Sequence, residues 1–183
     1  MSNVVDGKLI TVEEFEYFVD KEATDSLNRI YFEESVRCWM PKNDLRLIGL
    51  DRTFIIKADN EGIGFVLLCT PFRDINRSYI IHMGITKAYQ GKGISKIVYD
   101  HILHNVNEGF IIGEIEINNN RSLNAMKEEY GELLFTLDDY GFYLLHNDIH
   151  EHFYEYGLDE VLRHYNVEDK KEEILQGVSK TKR

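Results

Sequence analysis

The chain has 183 residues, 43% of them hydrophobic and 29% charged. That length and balance suit one folded domain, or one domain with an extension, and exclude a disordered, fibrous or disulfide-dependent chain. The 21 basic and 32 acidic residues give a net charge of −11, which repels phosphate backbones and excludes nucleic acid as a partner; it favours cationic or neutral partners, or serves solubility alone.

Met1 to Ile10 lacks a basic start followed by an apolar run, so no signal peptide is expected. Apolar stretches such as Phe65 to Cys69 fall far short of the roughly 20 residues of a membrane span. The expected location is the cytoplasm, without membrane association. Cys38 and Cys69 make neither a disulfide framework nor a zinc site and are expected to be small buried apolar residues.

In chain order, Thr11-Val12-Glu13-Glu14 reads as a capping box, with Val12, Phe15, Val19 and Ala23 near helical spacing after it; a short amphipathic helix is expected. A second helix is expected from Asp25 to Met40, with Leu27, Ile30, Tyr31 and Cys38 on its apolar face and Pro41 ending it. Leu47–Leu50 reads as a weak strand. Phe54–Ala58 and Ile63–Thr70 read as a hairpin over Asp59-Asn60-Glu61-Gly62. Arg73–Arg77 is a polar loop, and Ser78–Ile85 is the next strand. A glycine-punctuated turn follows, then a helix over Ile94–Val106 that Gly109 stops, a strand over Phe110–Ile117 and a helix over Arg121–Tyr130. Leu133–Leu137 and Tyr140–Leu145 close as a hairpin over Asp138-Asp139. The tail from Ile149 is charged and aromatic; short helices are expected over Asp159–Tyr165 and Glu168–Gln176, and fraying over Ser179–Arg183. Strand-helix-strand-helix in the middle implies a parallel crossover, and the hairpins imply antiparallel edges, so the expected class is α/β with a mixed sheet and helices on both faces.

The segment that bears chemistry is Gln90-Gly91-Lys92-Gly93-Ile94-Ser95, between a strand and a helix. Such a turn aims backbone N–H groups and a helix N-terminus at one point, an anion site suited to pyrophosphate. Read blandly, it is a tight turn that uses glycine for geometry alone. The P-loop pattern fails because Gly93 follows Lys92, and the dinucleotide fingerprint fails because Lys96 stands where its third glycine belongs.

The segment resembles the acyl-CoA pyrophosphate loop of the GNAT superfamily of N-acetyltransferases. That pattern is Gln or Arg, two free positions, Gly, one free position, then Gly or Ala; Ser95 departs from it at the last position. Glu114-Ile115-Glu116-Ile117-Asn118-Asn119-Asn120-Arg121-Ser122 resembles the family's next strand and the Asn-x-x-Ser start of its next helix. The resemblance covers about Leu45 to Leu145. It implies a GNAT-like, mostly antiparallel sheet with a splayed parallel strand pair. The family domain would be 1–148, followed by a helical extension over 149–183.

The resemblance further implies acetyl-CoA as acetyl donor and no metal. Gln90, Gly91, Lys92, Gly93, Ile94 and Ser95 would hold the pyrophosphate. Met83 and Ile85 would pair with the pantetheine arm, and Asn119 and Ser122 would lie near it. The reaction would be direct attack of a primary amine, from a small molecule or a peptide, on the thioester. Glu114 would be the base; read from its alternation with Ile115, it is equally a residue on a solvated strand face. Many relatives carry a tyrosine acid where this chain has Met126, so Tyr130, one turn on, stands as the substitute or as a core aromatic. His82 is a further candidate, or a structural histidine. His146, His150 and His152 have metal-like spacing in a polar tail. Trp39 and Tyr31 fall where relatives form the acceptor pocket, or in the core. Many relatives are dimers, so a homodimer fits the resemblance. The rival readings are a catalytically inactive acyl-CoA-binding sensor and a protein-interaction module that uses Phe153, Tyr154 and Tyr156.

Overall fold

The computed structural model describes residues 3–32, 50–70, 78–126 and 129–181. Contacts group the chain into two compact units, Met1–Cys69 with Ile80–Ile102, and Thr70–Tyr79 with Leu103–Arg183.

The first unit opens with strands rather than a helix. β1 (Val4–Val5) and β2 (Lys8–Phe15) form a hairpin, and β2 pairs antiparallel with β3 (Leu50–Ala58) from Ile10↔Ala58 to Phe15↔Thr53. The helix expected from the capping-box sequence is therefore absent. Ile10 and Val12 are buried while Leu9 and Glu13 are exposed and Thr11 lies between, a two-residue alternation that pairing with β3 selects over the weaker helical spacing. The Thr11 hydroxyl donates to Glu13 Oε1 at 3.0 Å and caps nothing.

The first helix is α1 (Lys21–Tyr31), which starts ahead of the expected Asp25. Asp20 caps it by accepting from the Ala23 N–H at 3.0 Å. Residues 33–49 lie outside the described residues, and with them the rest of the expected second helix, Cys38, Trp39, Pro41 and most of the Leu47–Leu50 strand. Ala23, Leu27, Ile30 and Tyr31 pack on Ile55, Phe65, Leu67 and Cys69, all buried. Tyr31 thus lies in the core, its ring 5.7 Å from that of Phe65.

β4 (Glu61–Cys69) pairs antiparallel with β3, and β5 (Ser78–Ile85) with β4. Ile63 is an extra residue between Gly62↔Lys57 and Gly64↔Ile56, a bulge that bends the end of β4. Its carbonyl accepts from the Thr86 N–H at 2.9 Å. A Cβ at Gly64 would sit 2.6 Å from the Gly84 carbonyl oxygen, so glycine is required for β5 to approach here. After β5 come a short 3-10 turn over Lys87–Tyr89 and α2 (Ile94–Asn105).

In the second unit β6 (Phe110–Glu116) is followed by α3 (Asn120–Met126), β7 (Gly131–Leu137) and β8 (Tyr140–Leu145). The strand order is β6-β8-β7, antiparallel throughout. Asn147, buried, donates from Nδ2 to the carbonyls of Val106 at 2.9 Å and Gly109 at 2.7 Å. The tail folds as α4 (Phe153–Tyr156), α5 (Leu158–Tyr165) and α6 (Lys171–Thr181). α6 runs to Thr181, and Lys182 and Arg183, in the stretch expected to fray, lie outside the described residues. The tail docks on its own unit. Phe153 is fully buried with its ring 5.4 Å from that of Phe110, and Tyr154 donates to Glu132 Oε1 at 2.5 Å. Of the three aromatics that the rival interaction-module reading would use, only Tyr156 is exposed. No helix among the described residues is long and apolar enough to cross a membrane.

Candidate acyl-CoA site

Between β5 and α2 the backbone enters the left-handed region twice, at Gly91 (φ 75°) and Gly93 (φ 78°). A side chain would strain both positions. A Cβ built on either glycine meets nothing within 4 Å, so the loop is bare on the side where a Cβ would project. α2 starts at Ile94, whose side chain is buried. Its first N–H groups have no carbonyl one turn back in the helix and carry the positive end of its dipole. This bare, positively polarised turn fits a pyrophosphate.

The side chains around the loop are tied down. Gln90 donates from Nε2 to the Ile85 carbonyl at 2.8 Å, closing the loop on the last residue of β5. Lys92 reaches Asp6 Oδ2 at 2.6 Å and lies 5.3 Å from the centroid of the Tyr89 ring. Lys8 donates to the Tyr89 hydroxyl at 3.0 Å. The Asp6 turn between β1 and β2 thus braces the loop, a contact the sequence does not announce because the partners are 86 residues apart. Met83 is half-buried on β5, opposite Val66. His82 lies opposite Leu67, on the sheet face that carries α1, and burial lowers its pKa to about 4.

In the second unit Glu114 is half-buried on β6, whereas Glu116 is exposed. Glu114 stands opposite Phe142 of β8. Burial pushes its carboxyl above the ordinary carboxylate range, and a hydrogen bond donated by the Tyr165 hydroxyl to Oε1 pulls partly the other way. The Tyr165 hydroxyl is itself driven far up, by burial and by the carboxylate beside it, so it stays protonated and donates. A carboxylate with a raised pKa is the better proton acceptor near neutrality. The sequence offers no signal for Tyr165, which ends an ordinary helical stretch 51 residues from its partner.

Asn119 caps α3, accepting at Oδ1 from the Ser122 N–H at 3.2 Å. Tyr130 is buried just ahead of β7, and its carbonyl accepts from the His146 N–H at 2.8 Å. Met126, where relatives' tyrosine would fall, is buried; its Cε would lie 2.7 Å from a Cβ at Gly113, so the absent Cβ leaves room for the thioether. The His146 and His150 rings lie 4.7 Å apart. Among the described residues no three His, Cys, Asp or Glu side chains group as a metal site.

A family model described as the acetyltransferase (GNAT) family matches residues 15–131, well over half of the chain. The chain belongs to the GNAT family. No curated protein matches its sequence. Among solved structures, a point mutant of the spermidine N-acetyltransferase SpeG from Vibrio cholerae aligns with a TM-score of 0.58 at 14% identity, over 78% of this chain and 96% of that one. AAC(6')-Ib, in complex with paromomycin and acetyl-CoA, aligns with a TM-score of 0.58 at 13% identity, over 78% and 95%. The N-acetyltransferase PseH of Campylobacter jejuni, in complex with acetyl coenzyme A, aligns with a TM-score of 0.50 at 14% identity, over 75% and 98%. At these identities the likeness is one of fold. The mixed α/β GNAT fold expected from the loop and the order of elements is the fold of this chain.

Proposed function

We propose that this GNAT protein is an N-acetyltransferase that moves the acetyl group of acetyl-CoA to a primary amine. The observation that carries the reading is the bare loop of Gly91 and Gly93 at the start of α2, in a chain of this family. Solved structures of similar fold include an enzyme named for spermidine and proteins in complex with acetyl-CoA, which supports the same donor and an amine acceptor here.

In this reading acetyl-CoA supplies an acetyl thioester, and the residues do the rest. The N–H groups of Gly91, Gly93, Ile94 and Ser95 bind the pyrophosphate, with Gln90 holding the loop shut against Ile85 and Lys92 adding charge. Backbone groups of Met83 and Ile85 orient the pantetheine arm, with Asn119 and Ser122 close to it. As the amine nitrogen bonds to the acetyl carbon and the carbon–sulfur bond breaks, Glu114 takes the proton that nitrogen loses. Tyr130 returns a proton to the departing sulfur. The net charge of −11 concentrates cationic amines near the protein. The family domain is assigned to 1–148 and the helical extension to 149–183. Self-association as a homodimer belongs to this reading and is read by sedimentation equilibrium.

Calorimetry with acetyl-CoA and desulfo-CoA tests the donor site. Micromolar binding is expected, with loss in Gly91→Glu and Gly93→Glu. An amine panel then reads turnover, with a drop of about 100-fold or more expected in Glu114→Gln. No binding by the wild-type protein overturns the reading. Binding without turnover on any amine points to the acyl-CoA sensor, which the buried Met126 in place of a tyrosine favours.

A further inference from the structure

We infer that Tyr165, in the C-terminal helical segment, is a positioning residue for Glu114, so that the tail is a working part of the transfer site. The inference rests on the acetyltransferase reading given above.

The geometry is specific. Tyr165 ends α5, and Asn166 stops the helix in a left-handed cap (φ 55°, ψ 46°) with its N–H on the carbonyls of Arg163 and Leu162. Leu158, Val161 and Leu162 are buried and seat the helix. The Tyr165 ring lies 4.5 Å from the Phe142 ring and 6.0 Å from that of Phe135. Those two rings stack on each other at 4.7 Å, and His164 meets Tyr165 edge-on at 4.8 Å. Phe142 is also the β8 residue opposite Glu114. One aromatic platform therefore sets both the strand that carries the carboxylate and the ring whose hydroxyl donates to it. With Oε1 held by Tyr165, the carboxylate keeps one orientation and leaves Oε2 to accept a proton. A freely turning carboxylate would meet an incoming amine in that orientation only part of the time.

A merely structural tyrosine would anchor the tail and leave turnover alone, and the two roles separate by experiment. Tyr165→Phe keeps the ring on Phe142 and Phe135 and removes only the donor. With the best amine of the panel, we expect kcat to fall by about tenfold or more, with KM for acetyl-CoA within twofold of wild type. In a Glu114→Gln background the same change should have no further effect, because both residues act through one carboxylate. The carboxyl carbon-13 resonance of Glu114, identified by its loss in Glu114→Gln, should shift in Tyr165→Phe. If Tyr165→Phe does not fold, site-specific 3-fluorotyrosine at 165 keeps the ring and alters the acidity of its hydroxyl, and kcat should change. Wild-type turnover with an unchanged kcat in these variants, or losses that multiply in the double variant, overturns the positioning role and leaves the acetyltransferase reading standing. Absence of turnover in the wild type overturns that reading, and the positioning role with it.

Discussion

At the scale of single residues, the glycines divide by what each one avoids. Gly91 and Gly93 avoid strain, since both have positive φ and empty space where a Cβ would go. Gly64 avoids a collision, because a Cβ there would meet the Gly84 carbonyl oxygen at 2.6 Å, and backbone yields little. Gly64→Ala should therefore destabilise the fold by about 1–3 kcal/mol, read as a lower urea midpoint with an unchanged slope; an unchanged midpoint would show that β4 and β5 can part at this level. His82 sets a pH-dependent contribution. Its ordinary pKa of 6.5 falls to about 4 on burial, so below pH 6.5 the unfolded chain takes up a proton that the folded chain refuses. Stability is complete above that pH and is lost as pH falls toward 4, by up to about 3 kcal/mol. His82→Gln should remove this part of the acid sensitivity, checked by urea midpoints of both proteins at pH 7.5 and pH 5. Parallel decline in the two proteins would assign the acid sensitivity to other groups.

At the scale of elements, what was legible in the chain is what local pattern decides. β5 and β8 run over the expected Ser78–Ile85 and Tyr140–Leu145, and α2 starts at the expected Ile94. The two strands are short apolar runs, buried along most of their length and bounded by turn residues, and α2 follows directly on the glycine turn. The N-terminus misled because the helix-start pattern of Thr11 to Glu14 overlaps a strand alternation over Leu9 to Glu13. Only pairing with β3, some 40 residues on, decides between them, and no local signal carries that. The Gly91–Gly93 turn was readable because its glycines answer to local backbone geometry. The bond to Glu114 was not, because Tyr165 is placed by α5, Phe135 and Phe142, which converge only on folding. The brace from Asp6 to Lys92 was hidden for the same reason.

At the scale of the whole molecule, the charge of −11 acts as a field rather than as a contact. It raises the local concentration of cationic amines, and salt screens it over about 8–10 Å at physiological ionic strength. If the acceptor is a cationic amine, its KM should rise several-fold between about 20 mM and 300 mM salt while kcat changes little. A KM indifferent to salt would mean that recognition is by shape or by short-range pairs.

The 51 residues between Glu114 and Tyr165 also have a meaning in time. A ribosome adds about 5–20 residues per second, so the nascent chain carries Glu114 for roughly 3–10 s before its partner tyrosine exists. The glycine turn at 91–93 is translated earlier still. In the proposed reading the donor loop and the carboxylate are thus both made before the tyrosine that orients one of them, and β8, which pairs with the strand of Glu114, is made in between.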